Sequence, residues 1–113
     1  MRFRKKPIEI EAVRVSQIHH QSAHDWYAMP QWVIDAYEGK SEKNGVKTLL
    51  FCNYPPRVEV VTQEGVMTGN IDDWLIKGVK CELYPCKPDI FATTYEAVPI
   101  AVNPNEEFLG IVQ

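Results

Sequence analysis

Apolar and polar residues alternate with period two near the start of the chain, where Ile8, Ile10 and Ala12 are separated by Glu9 and Glu11. Such a period sends successive side chains to opposite faces and predicts a strand with one buried face. The apolar phase then moves to Val13 and Val15 around Arg14, which predicts either a bulge near Ala12 or a strand buried on both faces. Residues 17–25 are polar, hold His19, His20 and His24, and read as a loop. Met29, Val33 and Ala36 then recur at i, i+4 and i+7 beside Trp32 and Tyr37. Pro30 suits a first helical position and Gly39 a C-terminal cap, so one main helix is expected from Pro30 to Glu38. The polar stretch 39–47 is a connector.

Residues 48–52 form a short apolar run that fits a buried strand and ends at Asn53 and the Pro55-Pro56 pair. Val58, Val60 and Thr62 alternate with Glu59, and Val66, Met67 and Thr68 follow Glu64-Gly65 as a hairpin partner. Trp74 to Ile76 makes another strand, Gly78 offers a turn, and Val79, Cys81 and Leu83 alternate with Lys80, Glu82 and Tyr84 as a second hairpin. Pro85 and Pro88 take the chain out of the sheet, with one helical turn over 88–91, before strand resumes over 95–102. The expected fold is a single α+β domain spanning 1–113: a bent antiparallel sheet of five or six strands with the helix packed across it. A basic arm, 1–6, and a tail, 103–113, are peripheral or lie in a subunit contact. Because Phe108, Leu109, Ile111 and Val112 close the chain, the tail should pack on a sheet edge or on a second copy, giving a two-fold dimer.

Composition narrows the function classes. With 113 residues, 45% of them hydrophobic, there is apolar material for one core and no second domain. A net charge of -3 argues against a general grip on phosphate backbones. Arg2, Arg4, Lys5 and Lys6 leave a nucleic-acid-binding arm as an alternative to a solvated chain end. No apolar run reaches the ~18 residues of a membrane span, and the basic start leads into alternation instead of a signal-peptide core. Cys52, Cys81 and Cys86 are an odd number and read as thiols in a reducing cytosol.

Three constellations bear on chemistry. His20 and His24 would share a helix face at i, i+4, and Asp25 follows, but the polar run lacks a helical pattern and a third ligand; no metal or other cofactor is expected. Cys86, and Cys81 five residues before it, lack a histidine base, although Lys80 and Lys87 adjoin them. The acids Asp72, Asp73, Glu82, Asp89 and Glu96 show no paired arrangement with a nucleophile; Asp73 and Asp89 suit capping roles. What remains is a recognition surface. Lys77, Lys80, Tyr84 and Lys87 would bind a ligand or partner, and Trp74, Ile76, Leu83, Phe91 and Tyr95 would form the structural core of the motif.

The same segment, Asp72-Asp73-Trp74-Leu75-Ile76-Lys77-Gly78-Val79-Lys80-Cys81-Glu82-Leu83-Tyr84-Pro85-Cys86-Lys87-Pro88-Asp89-Ile90-Phe91 with Thr94-Tyr95-Glu96 after it, resembles a motif of small proteins of tailed bacteriophages and prophages. That motif reads G-D-W-I-I-x-G-V-K-G-E-x-Y-P-C-K-P-D-I-F-x-x-T-Y-E. The family's basic N-terminal strand is matched by Arg4-Lys5-Lys6-Pro7-Ile8-Glu9-Ile10-Glu11-Ala12-Val13. Asp72 and Cys81 stand where the family has glycine. The resemblance implies a phage origin and the cytoplasm of the bacterial host, and it implies no particular reaction. The expected function is therefore non-catalytic binding, of a host protein or of a small anionic ligand such as a signalling nucleotide, in counter-defence. A small nucleotide-directed or metal-dependent hydrolase is the alternative from a different class.

Overall fold

The computed structural model describes residues 1–4, 6–40 and 46–98, with the backbone alone of 99 and 109–112. Lys5, most of the connector after Gly39, and the expectations attached to 100–108, Phe108 included, lie outside the described residues.

The opening alternation forms β1 (Glu9–Arg14), which passes directly into α1 (Val15–His24). A 3₁₀ turn (Trp26–Ala28), α2 (Gln31–Glu38), and strands β2 (Leu49–Asn53), β3 (Pro56–Thr62) and β4 (Gly65–Asn70) follow. The remainder is β5 (Trp74–Lys77), β6 (Leu83–Cys86), α3 (Pro88–Thr94), β7 (Glu96–Pro99) and β8 (Leu109–Val112). The class is α+β in one domain, but the expected single bent sheet is two antiparallel sheets, β6-β5-β1-β8-β7 and β2-β3-β4. Gly69 on β4 shows how closely the layers approach. A Cβ there would lie 3.0 Å from Val58 Cγ2 and 3.3 Å from both Pro85 Cβ on β6 and Val15 Cγ2 on α1. Glycine lets the small sheet stack on the large one at this point.

Of the two readings for β1, burial on both faces holds. Its register against β5 runs unbroken from Glu11↔Lys77 to Arg14↔Trp74, so there is no bulge. Val13 and Leu75 face a core shared by α1, α2 and the small sheet, with Ile18, Val33, Leu49, Val58 and Val60. Ile10 and Ile76 face the opposite way, onto Phe91 of α3.

The largest departure is α1, where the polar composition of 17–25 predicts a loop. Two fully buried anchors three residues apart, Val15 and Ile18, hold the helix down, too few to show as a period in the sequence. Backbone bonds from Val15 N–H to Asp73 O (2.9 Å) and from Ser16 N–H to Ile71 O (3.0 Å) satisfy the first turn in place of a side-chain cap. Gly39 ends α2 in the left-handed region at φ 75°, as its position suggests, with Pro30 one residue ahead of the helix. Pro85 is tolerated because β6 is an edge strand, and Pro88 opens an α3 longer than the single turn expected.

β8 lies between β1 and β7, so it joins the chain's own sheet in its interior. Among the described residues the edge strands of this sheet are β6 and β7. Among the described residues no helix is long and apolar enough to cross a membrane.

Candidate functional site

Strands β5 and β6 are joined by a tight turn in place of the continued alternation expected for Val79 and Cys81. Gly78 N–H donates to Glu82 O at 2.8 Å, and Cys81 N–H donates to Gly78 O at 3.0 Å. The geometry forces Cys81 to a φ of 62°, the left-handed region that disfavours a side chain. Glycine would adopt that conformation without strain, and cysteine costs energy there. Cys81→Gly should stabilise the protein by about 0.5–1 kcal/mol, the relief of strain being partly offset by the freer unfolded chain; urea unfolding of the two proteins would show it as a higher midpoint.

This turn forms one wall of a cleft of about 360 Å³, near the lower end of the usual range for small-molecule sites. Lys77, Lys80, Cys81, Glu82 and Leu83 face Trp32, Asp35, Ala36 and Lys40 from α2 and its C-terminal cap, with Thr48, Val61 and Thr62 as the floor. Trp32, Ala36, Val61 and Leu83 give the cleft apolar lining, and Lys40, Lys77 and Lys80 line it together with Asp35 and Glu82. Asp35 accepts a bond from Gln31 Nε2 at 2.9 Å, and the Glu82 carboxylate folds over Gly78, where an added Cβ would collide with it. Lys77 is anchored 3.8 Å from Glu11, and Lys40 lies 3.6 Å from Glu38.

The four residues expected to share one recognition surface are separated. Across β5 and β6 the register pairs Lys77 with Leu83 and Ile76 with Tyr84. Paired residues share a face, so Tyr84 points away from Lys77. Tyr84 is half-buried against Ile10, Ile76 and Phe91, with its hydroxyl 3.2 Å from that of Tyr95. Burial, and then the Tyr95 hydroxyl, push its phenol well above its ordinary value. It packs beside an aromatic stack in which Trp74 lies 4.1 Å from Phe91 at a 10° tilt, with the Arg14 guanidinium over the Trp74 ring at 4.5 Å. Of the expected core, Ile76 and Phe91 are buried, whereas Trp74, Leu83 and Tyr95 are half-buried.

Lys87 does not face the cleft. Its ammonium donates to Asp73 Oδ2 at 3.0 Å, and the same oxygen accepts Asn70 N–H at 2.9 Å. The Asp73 side chain is 4% exposed, so Lys87 neutralises a buried carboxylate that caps the turn before β5. Lys87→Glu, which on exposure grounds alone looks harmless, should cost about 2 kcal/mol by setting a second carboxylate against Asp73; the half-exposed lysine keeps the figure below that of a fully buried pair. Chemical denaturation measures it. Asp89 lies in the first turn of α3, which has no side-chain cap bond.

Nucleophilic chemistry finds little support in the remaining groups. The thiol of Cys86 is pushed up by burial and then by the charges of Asp73 and Asp89, so its reactive thiolate is disfavoured. His19 uses Nε2 on the Arg57 carbonyl at 2.8 Å, and among the described residues no three histidine, cysteine or acidic side chains gather in one cluster. Sequence reasoning missed Trp32 and Lys40, because nothing in the order of residues says that the end of α2 faces the turn between β5 and β6. Comparison with protein-family models, with curated proteins and with solved structures found no match to this chain.

Proposed function

We propose that this chain is a non-catalytic binding protein that takes up a small anionic ligand, such as a signalling nucleotide, in the cleft between α2 and the turn joining β5 to β6. The observation that carries the reading is the meeting of Lys40, Lys77 and Lys80 with the indole of Trp32 around one small concave site. Ammonium groups supply charge for a phosphate or carboxylate, and an indole supplies a flat apolar face for a ring. The size of the cleft favours a mononucleotide-sized molecule over a protein loop. The motif over 72–96 supports a phage origin, which would place the activity in the cytoplasm of an infected bacterium and make sequestration of a host signal its purpose.

Incubating the purified chain with a panel of mononucleotides and cyclic nucleotides, separating bound from free ligand, and releasing the bound fraction with denaturant tests the reading. Recovery of a ligand chemically unchanged supports it. Turnover products that depend on Cys81 or Cys86 would replace it with the hydrolase.

A further inference from the structure

The polar run 17–25 offers no frame for a metal when read as a loop, yet α1 provides one. The helix sets His20 and His24 on one face at i, i+4, with ring centroids 4.5 Å apart and planes tilted by 42°. Both residues are solvent-exposed. Two helical histidines at this spacing are the pair that ligates zinc in H-E-x-x-H sites. His24 lies in the last turn of α1, one turn beyond His20, where the helix-terminal carbonyls make the helix end negative and favour a cation. We propose that His20 and His24 form a two-imidazole chelate for a borderline divalent transition metal, taking Cu²⁺ more tightly than Ni²⁺ or Zn²⁺ in keeping with the general order of affinities.

The rest of the coordination sphere falls to water or to external donors, since His19 is committed to the Arg57 carbonyl and to an edge contact with Phe51 at 5.7 Å. Gln21 stands where the hydrolytic motif has its glutamate, so the pair lacks the general base and the site binds without hydrolysing. None of the residues lining the cleft comes from α1, so this site stands or falls independently of the anion-binding reading.

The test is a titration of the untagged chain with Cu²⁺ and, separately, with Zn²⁺, in competition with a chromogenic chelator. The parent should bind one ion per chain, Cu²⁺ the more tightly. His20→Ala and His24→Ala should each weaken binding by at least about tenfold, because losing even an outer-shell partner commonly costs 10–100-fold. His24→Ala combined with Asp25→His keeps three histidines but moves one off the face, and should bind as poorly as His24→Ala alone. Parent-like affinity in either single variant, or its restoration by Asp25→His, would overturn the chelate. Thermal melts without metal check that the variants fold; both positions are exposed and should leave the midpoint in place.

Discussion

Leu75→Ala should cost about 3–4 kcal/mol, within the range seen for buried leucines truncated to alanine. The side chain is fully buried, it lies in register with Val13 on one side and Pro85 on the other, and its face of the sheet is covered by α1, α2 and the small sheet. Relaxation into the resulting cavity is hindered because β5 is held from both faces: Ile76, the next residue, is equally buried against Phe91 of α3. A domain of this size has about 5–15 kcal/mol in total, so the substitution should remove about a fifth or more of it. Urea unfolding gives the number, and a loss below about 1 kcal/mol would mean that the two layers do not close over β5 as described. Trp74, the more conspicuous residue, should cost less when truncated, since one side of its stack with Phe91 carries the exposed Arg14 instead of core.

The largest effect on binding is expected from Lys77→Gln combined with Lys80→Glu. Two ammonium groups are lost from one wall of the cleft and one is replaced by a carboxylate. At about 1–2 kcal/mol for each lost or reversed contact, and tenfold for every ~1.4 kcal/mol, capture of an anion should weaken by about 30-fold to several hundredfold. Glutamine is chosen at position 77 because a glutamate would face Glu11, now 3.8 Å from the lysine, and would confuse binding with folding. Lys87→Glu provides the opposite pattern: it should lower stability through Asp73 and leave anion capture alone. Calorimetric titration of these two variants beside the parent separates the roles. If Lys87→Glu abolishes capture while the cleft pair leaves it intact, the ligand lies on the outer surface of the motif and not in the cleft.

How much of this was legible from residues alone depends on whether a feature is local. Gly39 as a cap, β1 as a strand, the hairpin of β3 and β4, and the turn at Gly78 follow from backbone preferences and period-two burial, and these the sequence shows. The α+β class followed from the same signals. The division into two sheets was not visible, because it depends on Gly69 meeting Pro85 and Val15, an approach between residues far apart in the chain. Helix α1 was hidden since only Val15 and Ile18 mark its buried face. The candidate site was half legible: Lys77 and Lys80 stand out in the motif, but Tyr84 and Lys87 were grouped with them by sequence nearness. Register sends Tyr84 to the other face, and Asp73 holds Lys87.

On the proposed reading, a small anion binds in the cleft between α2 and the turn of β5 and β6. Amide chemical-shift mapping of the isotope-labelled chain, titrated with the mononucleotide that the binding panel retains, locates the site directly. Shifts should concentrate at Trp32, Lys40, Thr48, Thr62 and Lys77 through Leu83, and α3 should stay unmoved. Shifts centred on Tyr84, Lys87 and α3, or on Arg2 and Arg4 of the basic arm, would put the ligand elsewhere and rule out the cleft.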